Sequence, residues 1–191
     1  MSRSTTKSGL RLALVAVVAM FGVGAAGVEL SPGDAAPDFD LEASDGERYR
    51  LSDLVAERAV VLAWFPRAYT RGCTIECKSL AEKGHLIREF DVAYFMASVD
   101  PVEDNAGFAE DNGADFPLLS DPTKEVATSY GVMHEKGYSK RHTFYIGVGG
   151  EILAIDREVE PATSAEDIAA MLGELGVARA ASSDAESAGA D

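Results

Sequence analysis

The sequence predicts an α/β fold in which one central mixed β-sheet is flanked by helices. Three observations carry that expectation. Residues 59–65, AVVLAWF, form an unbroken apolar run rich in β-branched side chains, as expected of a strand buried on both faces. Apolar strand-like runs alternate along the chain with segments whose apolar residues recur at helical spacing, the pattern of a sheet with crossover helices. Gly149-Gly150 lies between two short apolar runs, a hairpin signal that adds antiparallel strands and makes the sheet mixed.

The elements follow in order. Leu30–Asp34 is an opening loop, and Ala36–Leu41 is extended. Asp45-Gly46 marks a hairpin whose second strand is Arg48–Leu51, and Ser52 is placed to cap a short helix over Asp53–Glu57. Pro66 ends the central strand, and the loop Arg67–Gly72 leads into a helix from about Cys73 to Phe90. On it Cys73, Cys77, Leu80, Gly84 and Ile87 share one inward face. Val92–Val99 is a strand. Pro101 then suits the first position of a helix that runs to about Asn112 and is closed by Gly113. Phe116–Leu119 is a short strand and Thr123–Tyr130 a short helix stopped by Gly131. Thr143–Gly147 and Glu151–Asp156 are the hairpin strands. Ser164, with Asp167 three residues on, opens a last amphipathic helix that ends near Leu175-Gly176. From 178 to 191 the chain lacks apolar content and is expected to be a disordered acidic tail.

At 191 residues the chain suits one compact domain, residues 29–177, between a leader and that tail. It carries 17 Lys+Arg against 32 Asp+Glu, a net charge of -15. Such a surface repels nucleic acid and anionic lipid, so neither is expected as a partner. Residues 1–28 hold a basic start (Arg3, Lys7, Arg11), an apolar run from Leu12 to about Ala26 and small residues at Gly24–Gly27. This is the form of a signal peptide or a retained N-terminal anchor. Either places the domain on the outer side of the membrane, periplasmic or secreted, with no other membrane contact expected.

The chain has two cysteines, Cys73 and Cys77. A bridge between them would close so short a loop that it would staple little of the unfolded chain, so chemistry is the stronger reading than scaffolding. A metal or other cofactor is not expected. Cys73-x3-Cys77 is acceptable ligand spacing for zinc, but seven residues separate His134 from His142, too many for a usual histidine pair. The strand–loop–helix step instead puts Cys73 at a helix N-terminus, at the carboxyl end of a central strand, where sites form in open α/β sheets. Free N–H groups there attract negative charge, Arg71 or Arg141 could supply a cation, and Thr70 could aim its hydroxyl into the same small cavity. This inventory suits attack of a thiolate on an O–O bond, with donors placed where charge develops on the departing oxygen.

Pro66-Arg-Ala-Tyr-Thr70-Arg-Gly-Cys73 resembles the active-site pattern P-x-x-x-T-x-x-C of the peroxiredoxin family, the AhpC/TSA-type redoxins. Ala36-Pro37-Asp38-Phe39 resembles the APDF segment near the start of those domains. Arg141-His142-Thr143-Phe144-Tyr145-Ile146 resembles the strand that carries the family's second active-site arginine. The resemblance spans about residues 30–176 and is strongest to the bacterioferritin-comigratory or Q-type branch. It implies a thioredoxin-like fold, a thiol peroxidase acting on hydrogen peroxide or organic hydroperoxides, a thioredoxin-like reductant, no cofactor, and a monomer or weak dimer. Carried over by position, it makes Cys73 the peroxidatic cysteine and Thr70 and Arg141 its polar partners. Pro66 shields the pocket, and Glu76 matches an acid that orients an arginine.

Two positions depart from that branch. Arg71 stands where proline is usual, and Cys77 follows Cys73 by four residues where the resolving cysteine usually follows by five. Four residues along a helix separate Cα atoms by roughly 6 Å with poorly aimed Cβ vectors, so resolution by Cys77 requires the first turn to unwind. Two rival functions stay open. One is an exported thioredoxin-like disulfide oxidoreductase of the cytochrome-maturation type, against which the W-C-x-x-C spacing is missing. The other is a non-enzymatic module on the same fold, against which the cysteine, threonine and arginine are all present.

Overall fold

The computed structural model describes residues 29–181. It has seven strands: β1 (Asp40–Ala43), β2 (Arg48–Arg50), β3 (Ala59–Trp64), β4 (Val92–Ser98), β5 (Leu118–Ser120), β6 (His142–Ile146) and β7 (Ile152–Asp156). Five helices accompany them: α1 (Leu51–Leu54), α2 (Arg71–Ile87), α3 (Val102–Asn112), α4 (Glu125–Ser129) and α5 (Ser164–Glu174). The strands form one sheet in the order β2-β1-β5-β4-β3-β6-β7. β3, β4 and β5 run parallel, while β6 is antiparallel to β3 and β1 antiparallel to β5. The expected mixed α/β sheet is therefore present, with an antiparallel hairpin at each edge.

All six residues of β3 are buried, because both of its faces are covered. Val61, Ala63 and the following Phe65 face α2, α3 and α5, joining Cys73, Cys77, Leu80, Ile87, Phe108, Ile168 and Leu172 in one core. Val60, Leu62 and Trp64 point to the opposite side and pack with Phe95, Tyr130, Phe144 and Ile146. The strand period of two thus divides one apolar run between two cores. On α2 the expected inward face is buried at all five positions, and Glu76 and Ser79 are buried with it.

Several boundaries differ for local reasons. α2 begins at Arg71, two residues early, and ends at Ile87, so Cys73 is its third residue. Ser52 lies inside α1 and caps nothing; Asp38, from before β1, accepts the Ser52 N–H at 3.0 Å. Pro101 is the cap of α3 and not its first residue, while Gly113 ends that helix in the left-handed conformation at φ 64°. α4 is shorter than expected because the Asp121 carboxylate binds the Thr123 hydroxyl at 2.9 Å and the Ala127 N–H at 2.8 Å. Thr163, one residue before Ser164, opens α5, and its hydroxyl donates to Asp167 at 2.6 Å.

The tail expected from residue 178 is in part a misreading. The Asp91 N–H donates to the Ala178 carbonyl, the Ala180 N–H donates to the Glu89 carbonyl, and the Arg179 guanidinium lies 4.1 Å from the centre of the Phe90 ring. Main-chain pairing and one cation–π contact hold the segment where apolar content could not. The expected leader, residues 1–28, and residues 182–191 lie outside the described residues.

A polar clasp fixes α3 to the strand ends. Asn105, fully buried, donates to Ser120 Oγ at 2.8 Å and to the Leu119 carbonyl at 3.2 Å, and its Oδ1 lies 3.1 Å from Ser98 Oγ. Removing one member leaves the others buried without partners. Asn105→Leu is therefore expected to lower the unfolding free energy by about 2–3 kcal/mol in urea denaturation. A loss no larger than that of an exposed-site control would refute this account.

Candidate active site

The carboxyl end of β3 is where distant parts of the chain converge. After Phe65 the chain turns through Pro66–Thr70 into α2. The antiparallel register that pairs Trp64 with His142 brings Arg141 to the same end of the sheet. Ser139 fixes this approach: it is fully buried, and its hydroxyl donates to the Phe65 carbonyl at 2.5 Å. The Lys140 N–H donates to the Val132 carbonyl at 2.6 Å. Arg141 is thus delivered by a pinned backbone.

Arg141 Nη2 lies 3.2 Å from Cys73 Sγ, and Arg141 Nη1 forms an ion pair with Glu76 Oε2. Glu76 is fully buried, its second oxygen has no partner, and the Arg141 side chain keeps 17 % of its surface. One guanidinium thus bridges a sulfur and a carboxylate one helical turn apart. Cys73 is also the third residue of α2, so its N–H is among those with no carbonyl inside the helix. The guanidinium thus meets the sulfur at the open, donor-rich end of the helix.

The loop before the helix is tied down as well. The Ala68 N–H donates to Asp100 Oδ2 at 2.8 Å. Tyr69 holds φ 62°, a left-handed conformation that costs a bulky residue about 1–3 kcal/mol, and its ring packs edge-on to Phe108 of α3 at 5.4 Å. Gly72 serves the arginine directly, since a Cβ there would lie 3.2 Å from Arg141 Nη2.

Of the residues singled out from sequence, Cys73, Glu76 and Arg141 meet. Thr70 occupies the cap position of α2, but its exposed hydroxyl donates to the Arg67 carbonyl at 2.9 Å rather than to the helix or to Cys73. The expectation that it aims at the sulfur is corrected to this extent: a tight turn takes its proton. Pro66, half-buried, and Thr70 line one cleft. Cys77 lies one turn below Cys73; both are free thiols and fully buried. Burial, with a smaller effect from Cys73, pushes the Cys77 thiol up to about 12. Arg71 is exposed and is not the cation at the sulfur. Gly72, Ser139 and Asp100 were not singled out; Gly72 alone left a trace, as the glycine directly before the helix cysteine.

The model of the AhpC/TSA family matches residues 32–155. The chain belongs to the AhpC/TSA family. It is a peroxiredoxin, a thiol peroxidase and hence an oxidoreductase. Peroxiredoxin Bcp of Escherichia coli K12 is 33 % identical over 130 residues, covering 64 % of this chain and 83 % of that protein. A putative peroxiredoxin of Mycobacterium tuberculosis, Rv1608c, is 35 % identical over 132 residues, covering 66 % and 84 %. The crystal structure of peroxidoxin BcpB from Mycobacterium tuberculosis superposes with a TM-score of 0.69 at 32 % identity, covering 76 % of this chain and 98 % of that one. That of a PrxQ mutant from Xylella fastidiosa has a TM-score of 0.72 at 24 % identity, covering 78 % and 99 %, a likeness of fold. The disulfide oxidoreductase rival is not favoured.

The bridging arginine gives this peroxiredoxin a separable signature. Arg141→Met removes a donor from the sulfur and strands a buried carboxylate. It is expected to slow oxidation by peroxide about 10²–10³-fold and to cost about 3–5 kcal/mol of stability. The double variant Glu76→Gln/Arg141→Met should regain much of the stability and none of the rate. Stopped-flow oxidation and urea unfolding measure the two; recovery of both together would contradict the assignment. Gly72→Val, which crowds the guanidinium, is expected to slow oxidation without unfolding the protein.

Proposed function

We propose that Cys73 is the peroxidatic cysteine of a peroxidase that takes hydrogen peroxide or an organic hydroperoxide and is re-reduced by a thioredoxin-like protein. The observation that carries this reading is the Arg141 guanidinium 3.2 Å from a sulfur on the first turn of a helix. The Cys73 thiolate attacks one oxygen of ROOH. An S–O bond forms, the O–O bond breaks, and RO⁻ leaves and takes up a proton. Cys73 becomes a sulfenic acid, oxidised by two electrons, and the peroxide is reduced to ROH. Arg141 and the Cys73 N–H stabilise the charge that moves from sulfur to the departing oxygen. Glu76 holds the guanidinium in place, Pro66 walls the pocket, and Thr70 presents its hydroxyl oxygen at the rim.

Cys77 then attacks the Cys73 sulfur; an S–S bond forms and the S–OH bond breaks, releasing water. A dithiol reductant restores both thiols, and its own thiols become a disulfide. Both sulfurs are fully buried at successive turns of α2, so this reading requires the first turn to open. The basic and apolar leader supports export, which would place the reductant outside the cytosol as well. The domain is proposed to work as a monomer or weak dimer.

The deciding experiment is a peroxidase assay on leader-free protein. Cys73→Ser should abolish peroxide consumption. Cys77→Ser should still consume one equivalent but not turn over with a thioredoxin-like donor. Mass spectrometry of peroxide-treated wild type should show the Cys73–Cys77 peptide lighter by two hydrogens; a sulfenic or sulfinic acid persisting on Cys73 would reject Cys77 as the resolving residue.

The resolving step should also depend on pH. The buried Cys77 holds its proton up to about 12, whereas an unwound, exposed thiol loses it near 9. The native form binds more protons in that interval, so the stability of the closed turn, complete below about 9, falls as pH rises toward 12. Disulfide formation after a peroxide pulse should accelerate as pH is raised from 8 to 10, as followed by acid quench and mass spectrometry. A flat profile would show that opening of the turn is not tied to Cys77.

A further inference from the structure

Tyr69 stands apart in the loop that leads to Cys73. Its backbone holds φ 62°, in the left-handed region that a bulky side chain avoids. Hydrogen bonds on both sides hold it there: the Ala68 N–H is tied to Asp100, and the Thr70 hydroxyl to the Arg67 carbonyl. Yet the Tyr69 side chain is 57 % exposed, so burial in a core is not what this conformation achieves. It achieves a seat on α3. The Tyr69 ring meets the Phe108 ring edge-on, with centroids 5.4 Å apart. Phe108, fully buried, also stacks with Phe65 at 5.9 Å and 27°. The segment from Phe65 to Tyr69 therefore grips one aromatic ring with both of its ends.

The seat continues at Gly107. This glycine lies in the middle of α3, where alanine would make a better helix. A Cβ on it would lie 2.6 Å from the Tyr69 hydroxyl oxygen and 4.0 Å from Cζ of the same ring. The first distance is a clash and the second an ordinary contact, so the notch in α3 fits the hydroxyl alone. The turn that follows depends on where this loop sits. Thr70 is the cap of α2, and its carbonyl accepts the Thr74 N–H at 2.9 Å, the hydrogen bond that closes the turn containing Cys73. Unwinding that turn moves Thr70, and with it the adjoining Tyr69.

We propose that Tyr69 is a positioning residue, a latch whose ring, seated on Phe108 and in the notch at Gly107, keeps the turn that carries Cys73 closed against the strain in its own backbone. Strain and seat act in opposite directions. Opening lets Tyr69 leave the left-handed region, which favours the open turn. Opening also breaks the aromatic contact, which favours the closed one. The role in the reaction rests on the reading in which Cys73 meets peroxide with the turn closed and Cys77 reaches it with the turn open. The latch then sets the balance between the two steps: a firm seat favours attack on the peroxide, a loose one favours the disulfide.

The test reads the turn without any peroxide. In Cys73→Ser, Cys77 is the single thiol of the chain, and because it is fully buried its alkylation by iodoacetamide requires the turn to open. In that background Tyr69→Ala keeps the strain and removes the seat, and should raise the alkylation rate about tenfold. Tyr69→Gly removes both and should raise it less. Gly107→Ala should raise it about threefold although alanine favours the helix. Gly107→Ala/Tyr69→Phe should return to within about twofold of Tyr69→Phe, because the clashing hydroxyl is gone. Amide exchange should quicken at residues 71–74 and not in β3. An unchanged rate in Tyr69→Ala or Gly107→Ala, a Tyr69→Gly rate above that of Tyr69→Ala, no recovery in the double variant, or equally faster exchange in β3 overturns the proposal. The pair at positions 69 and 107 decides the matter even if Tyr69→Ala folds poorly. If alkylation responds as described but peroxide leaves Cys73 unoxidised in the chain with both cysteines, the latch stands and the peroxidase reading falls.

Discussion

A single guanidinium organises this site. Arg141 is shared between Cys73 Sγ, which gains a donor, and the buried Glu76 carboxylate, which would otherwise lie uncompensated in the core. The helix supplies sulfur and carboxylate three residues apart on one face, so their separation is set by α-helical geometry. The sheet supplies the cation, because β6 pairs with β3 in the register that ends at Trp64 and His142. Neither half is sufficient. A helix N-terminus without the arginine offers only its dipole, and a buried glutamate without it carries a desolvation cost of several kcal/mol.

Much of the rest of the domain can be understood as the support for that contact. The two apolar cores hold β3 rigid from both sides. The Asn105 clasp and the Asp100–Ala68 hydrogen bond fix the two loops that emerge beside the end of β3. Ser139 pins the segment that leads through Arg141 into β6. Tyr69 holds an unfavourable backbone conformation in the middle of the loop that precedes Cys73. Such a conformation persists only where its surroundings over-determine it, here the buried Ala68 on one side and the Phe108 ring on the other. Strain and pinning lie within a few residues of Cys73 Sγ, next to the turn that the proposed cycle must open.

The fold and the core of the site were legible in the sequence because both are written in periodicities. The apolar run at 59–65, the inward face of α2 and the glycine hairpin each follow from local rules, and Cys73 is located by the strand–loop–helix step they define. Arg141 was legible only through the resemblance of the segment 141–146; no local pattern ties it to a cysteine 68 residues earlier. Ser139, Asp100 and Asn105 were illegible because they act through single hydrogen bonds across the fold, which leave no period behind. Two helix starts were missed where a distant or neighbouring side chain, Asp38 for α1 and Thr163 for α5, sets the first turn. Residues 178–180 were misread because composition does not report main-chain pairing.

The long reach from Cys73 to Arg141 also bears on biosynthesis. A nascent chain carries Cys73 without Arg141 beside it, since the two meet only after β3 and β6 have paired. The Arg141–Cys73 contact is therefore a late product of folding, acquired together with the sheet.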